Sequence, residues 1–265
     1  MAEAAKAVEA HADLPGVRLW YRDTGGSGAP VILMHANTGN SDSWGPNIPA
    51  LVGAGYRAIA FDRRGWGRSV AQPESGPQPG TIADDLHGLV DHLRLVTFHL
   101  VGIAGGGYAA YDYAIGHPER LRSLVVAASG GGIPESDYAR EYGRVRLPGF
   151  PDWPAQFREV SLDYLATNPT GLQAWLEIHG RSRQPGAPAQ PTRNSITLKR
   201  LETLRIRTLL IAADNDLTTP PYVMRMQAGH LPDARFLLIP DAGHSVNWEQ
   251  PAAFNDALLE FLGRG

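Results

Sequence analysis

Short apolar runs recur along this chain, and polar or glycine-rich stretches separate them. Residues 31–34, 57–61, 98–101, 121–127, 208–213 and 235–239 are almost wholly apolar, while 16–22 alternate apolar and polar positions. Runs this short are ambiguous alone, but helical patterns lie between them. Within 81–93 the residues Ile82, Leu86, Leu89, Val90 and Leu93 share one face, and 252–262 repeat the pattern at the end of the chain. Buried strands alternating with amphipathic helices predict an α/β fold, with a mainly parallel sheet of about eight strands covered by helices on both faces.

One stretch breaks the rhythm. From 130 to 204 there is no strand-like run, and prolines (134, 148, 151, 154, 169, 185, 188, 191) mix with Phe150, Trp153, Phe157, Tyr164 and Trp175. The expected organisation is a core of residues 1–129 and 205–265, with 130–204 inserted as a helical lid whose Trp153 and Trp175 contact an apolar or aromatic ligand.

Composition narrows the chemistry. The 265 residues are 43% hydrophobic and 19% charged, as expected of a packed globule. Lysine and arginine (24) nearly balance aspartate and glutamate (27), with no block of one sign, so a nucleic-acid partner is not expected. There is no cysteine, which excludes disulfides, thiolate metal sites and cysteine nucleophiles. No apolar run approaches the roughly 18 residues of a membrane span, and residues 1–14 lack the apolar core of a signal peptide, so no membrane partner and a cytoplasmic location are expected. The glycines at 102–107 lack the Lys-Ser/Thr of a phosphate loop, and the histidines have no ligand spacing; no metal and no cofactor are expected, and the partner is a small-molecule substrate.

Polar or glycine-rich motifs stand where the predicted strands end. In order these are His35-Ala-Asn-Thr-Gly39, Asp62-Arg-Arg-Gly-Trp-Gly-Arg-Ser69, Gly102-Ile-Ala-Gly-Gly106, Asp214-Asn-Asp216 and Asp241-Ala-Gly-His244. Ligands of open α/β sheets bind beyond the carboxyl ends of the strands.

Over residues 17–262 these motifs and their order resemble the α/β-hydrolase superfamily, most of all its enol-lactonase, cofactor-free haloperoxidase and meta-cleavage C–C hydrolase branch. The resemblance implies that His244 is the catalytic histidine and Asp216 its acid, with Asp214 as the alternative. It implies that the backbone N–H groups of Asn37 and Gly105 form an oxyanion hole, and that His35 and Ile103 border the substrate. At the centre the chain departs from the family. The elbow Gly-x-Ser-x-Gly reads Gly102-Ile-Ala-Gly-Gly106, so Ala104 takes the place of the nucleophile. The neighbours depart as well, with Ile103 where histidine is common, Gly105 where a larger residue is usual, and His35-Ala36 for His-Gly.

Three readings follow. The chain is an enzyme that uses His244 and Asp216 as a general base for hydrolysis, or lyase-type chemistry, without a covalent intermediate. Or it is a serine hydrolase whose serine has been replaced at 104. Or it is a non-catalytic binding protein. Ser129 and Ser245 are alternative sites for a displaced nucleophile, and Arg63, Arg64 and Arg68 are candidates to meet a substrate carboxylate. Under the first reading, kcat/KM rises with pH through an ordinary histidine pKa of about 6.5.

Overall fold

The computed structural model describes residues 7–144 and 146–263. Nine strands appear among them: β1 (Val8–Leu14), β2 (Val17–Asp23), β3 (Pro30–Met34), β4 (Arg57–Phe61), β5 (Val70–Ala71), β6 (Phe98–Ile103), β7 (Leu121–Ala127), β8 (Thr208–Ala213) and β9 (Ala234–Ile239). They form one sheet in the order β1-β2-β4-β3-β6-β7-β8-β9, with β5 beside β2. All pairings from β4 to β9 are parallel, and those of β2 with β1, β4 and β5 are antiparallel.

The expected apolar runs are the central strands. Their period-2 alternation divides the interior in two. Ile32, Met34, Leu100, Leu124, Val126 and Leu210 pack on one side with the helices Ile82–His92 and Gly105–Gly116. Val31, Leu33, Val101, Val125, Leu209 and Ile211 pack on the other with Leu51, Phe254, Leu258 and Phe261. Each of these side chains contributes about 1.5–3 kcal/mol by leaving water. The helix Gly105–Gly116 is buried almost all round, so its alanines and tyrosines show no polar stripe.

Two elements differ from the sequence expectation. β1 precedes the predicted first strand and pairs with β2 through the two-residue turn Pro15-Gly16, where Gly16 has φ 80°. At the opposite edge β9 is only partly covered, with Leu237 and Leu238 exposed, and among the described residues no strand pairs with its outer side.

Between β7 and β8 the described residues form helices Ser136–Gly143, Ala155–Glu159, Leu162–Thr167, Pro169–Gly180 and Leu198–Leu201, and no named strand. This insertion is hydrogen-bonded to the loops at the carboxyl ends of the core strands. The N–H of Gln184 donates to Gly65 O, that of Ser245 donates to Glu159 O, and His179 Nδ1 contacts Thr38 O.

Candidate active site

The turn from β6 into the helix Gly105–Gly116 is the strained point of the site. Ala104 lies there with φ 51° and ψ −115°, a backbone state that costs a non-glycine residue about 1–3 kcal/mol. The glycines around it make the turn sterically feasible. A Cβ on Gly102 would lie 2.3 Å from Gly106 O, and one on Gly106 would lie 2.2 Å from Met34 O.

Ala104 opens onto a cavity of about 440 Å³, within the range of small-molecule sites. Asn37, Thr38, Gly105, Tyr108, Ser129 and His244 line it from the core, and Tyr142, Arg158 and Glu159 from the insertion. Gly105 carries the first N–H of its helix, which has no acceptor within the helix. Its missing Cβ makes room for Asn37, since a Cβ there would come within 2.3 Å of Asn37 Oδ1.

Asp216 stands behind His244. Its Oδ2 is 2.8 Å from His244 Nδ1, and its Oδ1 accepts from the N–H groups of Thr218 (2.8 Å) and Thr219 (2.7 Å). Asp214, the alternative acid, is exposed and is bonded instead to its neighbour Asn215. On the other side of the ring, Glu159 Oε2 lies 3.9 Å from His244 Nε2 and accepts from Thr38 Oγ1 at 3.2 Å. Burial lowers the pKa of His244, but the charges of Asp216 and Glu159, the Asp216 hydrogen bond and the charge of Glu249 outweigh it and push the pKa up to about 9. This departs from the ordinary value near 6.5 expected from the sequence, because the charges of Asp216 and Glu159 favour the imidazolium.

His35 is placed differently from the expectation that it borders the substrate. It is fully buried, its Nδ1 lies 2.7 Å from Ala36 O, and its Nε2 accepts from the Arg63 N–H at 3.0 Å. Burial and the Arg63 charge lower its pKa to about 3, against a smaller opposing effect of Asp62. A neutral imidazole with both nitrogens occupied holds the loop and does not face the cavity. Trp153 is also absent from the lining and packs against Phe150, with ring centroids 5.4 Å apart. Ile103 and Trp175 flank an adjoining cleft with His244 and Ser245; at about 20 Å³ it has room for little more than a water molecule.

The serines and arginines have other partners. Ser129 Oγ donates to Ala104 O at 2.7 Å, and Ser245 Oγ accepts from Trp175 Nε1 at 3.0 Å. Arg64 pairs with Asp85 at 2.6 Å, and Arg68 with Asp62 and Asp42 at 3.0 Å each. Arg63 is buried against Trp66, and its Nη2 donates to Asn37 Oδ1 at 2.8 Å, so its charge braces the Asn37 loop from below. Sequence reasoning missed Thr38 and Glu159. Glu159 closes a short helix in a stretch without regular pattern, and only the fold carries it to a histidine 85 residues away.

A strained residue between strand and helix, a histidine–aspartate pair after the last two strands, and a cavity beyond the carboxyl edge describe one known arrangement. The sequence profile described as "Alpha/beta hydrolase family" matches residues 31–257. The chain belongs to the alpha/beta hydrolase family. Among relatives of this hydrolase is BpoC of Mycobacterium tuberculosis (strain H37Rv), which carries the name of a non-heme bromoperoxidase. It is 30% identical, over 93% of this chain and 98% of its own length. The 2-hydroxy-6-oxononadienedioate/2-hydroxy-6-oxononatrienedioate hydrolase of Paraburkholderia phymatum is 28% identical, over 94% of this chain and 92% of its own. Among solved structures, a thermophilic esterase from Thermogutta terrifontis superposes with a TM-score of 0.78 at 27% identity, over 98% of this chain and 99% of its own. The fold and its class of enzyme, an α/β-fold hydrolase, are thereby established. Among the described residues no helix is long and apolar enough to cross a membrane, and no cluster of three or more potential ligands could hold a metal ion.

Proposed function

We propose that this hydrolase cleaves a small carbonyl substrate (an ester, a lactone or an activated acyl compound) without a serine nucleophile. Ala104 is the residue at the nucleophile position, and a methyl group cannot form an acyl-enzyme. His244 moves the proton, and Asp216 holds its ring in orientation and stabilises its charged form. The N–H groups of Asn37 and Gly105 receive the oxyanion from their place beside Ala104. The insertion 130–204 acts as a lid, to which the lining by Tyr142, Arg158 and Glu159 lends support. The observation that carries this reading is an intact His244–Asp216 pair facing a strained turn that presents no hydroxyl.

The test is hydrolysis of phenyl acetate and p-nitrophenyl acetate by the chain as it stands. His244→Ala should lose about 10²–10⁴ of the rate, as expected when a proton-transfer residue is removed. A fluorophosphonate should leave the protein active and unlabelled. Stoichiometric labelling of Ser129 or Ser245 with loss of activity would show that the nucleophile is one of them. A second reading, in which alanine replaces the serine of an ordinary serine hydrolase, draws support from the strained φ of 51°, which suits presentation of a side-chain oxygen. If Ala104→Ser creates a fast, fluorophosphonate-sensitive esterase, that second reading holds.

A further inference from the structure

The cavity holds one acidic side chain with no place in the serine-hydrolase arrangement. Glu159 is nine-tenths buried, and its Oε2 has two neighbours: the Thr38 hydroxyl at 3.2 Å and His244 Nε2 at 3.9 Å. The Arg158 guanidinium approaches its other oxygen only to 4.0 Å. Burying a carboxylate with so few partners is costly, and a chain that needed only a latch would do better with a neutral side chain.

Its position is over-determined by the catalytic loops themselves. Glu159 O accepts from the Ser245 N–H, next to the histidine, at 2.8 Å. Arg158 O accepts from Thr218 Oγ1, in the Asp216 turn, at 2.8 Å. The Ser161 N–H donates to Glu249 Oε2 at 2.9 Å, and the same oxygen accepts from the Gly243 N–H at 3.0 Å. The segment 158–161 is thus tied to the acid loop, the histidine loop and the helix that follows.

A separation of 3.9 Å is too long for a direct hydrogen bond, yet one oxygen atom can sit within bonding distance of both groups. In a serine hydrolase the serine oxygen meets the histidine Nε2; here Ala104 supplies none.

We propose that Glu159 is the general base of this site, taking a proton from a water held between its carboxylate and His244 Nε2, with His244 as the paired general acid. The assignment rests on the serine-free reading above. The water oxygen bonds to the substrate carbonyl carbon as its proton passes to Glu159 Oε2, and the carbonyl electron pair moves onto the oxygen beside the Asn37 and Gly105 N–H groups. Collapse restores the C=O bond and breaks the bond to the leaving group, which takes the proton from His244 Nε2. The Glu159 proton then returns to His244, so one water is consumed and an acid and an alcohol are released. The groups that set the charge of His244 are Asp216 on the β8 loop, Glu159 on the insertion and Glu249 on the following helix, with Arg158 beside Glu159.

The experiment is the pH profile of phenyl acetate hydrolysis for the parent, Glu159→Gln, Glu159→Asp and His244→Ala. The proposal requires a protonated His244, so parent kcat/KM should fall as pH rises through about 9. A lone histidine base would make it rise there. Glu159→Gln should lose about 10²–10⁴ of kcat at pH 7, and Glu159→Asp should recover at least about tenfold over Gln. Removing the carboxylate also removes an influence that keeps His244 charged, so a lone histidine base would become faster at pH 7 in Glu159→Gln. That opposite sign, with His244→Ala inactive, would overturn the role of Glu159 and leave the serine-free reading standing. Full activity in His244→Ala, or no hydrolysis by the parent, would overturn both.

Discussion

Two buried histidines lie close to the Asn37–Thr38 loop, and the fold drives them in opposite directions. His35 sits under the loop against the Arg63 cation and a backbone carbonyl, and its pKa falls to about 3. His244 sits over the cavity between Asp216 and Glu159, and its pKa rises to about 9. Both pay a desolvation cost for carrying charge, so burial does not distinguish them; the sign of the nearest charge does. A neutral imidazole that donates at one nitrogen and accepts at the other is a strut, whereas an imidazolium facing a cavity is a proton source.

The sharpest way to break the contrast is Asp216→Asn. The amide Nδ2 would face His244 Nδ1 and donate to it, forcing the neutral tautomer with its proton on Nε2. Loss of the aspartate charge would also pull His244 toward the condition of His35. Steady-state kinetics should show kcat/KM lower by about 10³-fold or more, with no loss of fold by circular dichroism. Unchanged turnover would mean that the pair is not part of the chemistry.

The same contrast should appear in stability against pH. His35 has a folded pKa below its unfolded value near 6.5, so the unfolded chain binds the extra proton and stability is lost as pH falls from about 6.5 toward about 3. His99, lowered to about 4 by burial and by Arg122 and Arg207, adds to the same limb. His244 has a raised folded pKa, so its contribution is full below about 6.5 and is lost as pH rises through about 9. The limbs are worth on the order of 5 kcal/mol for His35 and 3 kcal/mol for His244. Urea unfolding at pH 5, 6.5 and 9.5 should show a maximum in the middle, and His244→Gln should flatten the alkaline limb alone. An alkaline limb that survives in His244→Gln belongs to another group.

Much of this was legible in the sequence. Five of the six apolar runs became central strands, because burial on both faces of a parallel sheet leaves few polar positions to confuse the pattern, and the sixth became the edge strand β9. The sharp turn at Ala104 and the Asp216–His244 contact lie where the motifs Gly102–Gly106, Asp214–Asp216 and Asp241–His244 stood in the sequence, each after a strand. β1 escaped because two of its four apolar positions, Ala10 and Ala12, are small alanines that give a weak alternating pattern. The charge state of His244 was out of reach, because Glu159 meets it only after the insertion folds back over the sheet edge. The orientation of His35 was out of reach as well: the motif places it in the loop, and only the fold shows its side chain turned under that loop toward the Arg63 N–H.

A smaller effect probes the loop that His35 supports. Gly105→Ala would place a Cβ within 2.3 Å of Asn37 Oδ1, so the Asn37 side chain must move off its bond to Arg63 Nη2. The expected result is a tenfold or greater fall in kcat with little change in KM, since one oxyanion donor is worth about 10²–10³ and the shift is partial. A change in KM alone would separate Asn37 from the oxyanion.

The charge states can be read without any substrate. Long-range proton–nitrogen correlation spectra of the nitrogen-15-labelled protein at pH 7 report whether each ring nitrogen carries a proton. The account predicts His244 doubly protonated and titrating near pH 9, and His35 neutral with its proton on Nδ1 across the whole range of stability. A His244 ring that is neutral at pH 7, with a single protonated nitrogen and an ordinary titration near 6.5, would contradict it.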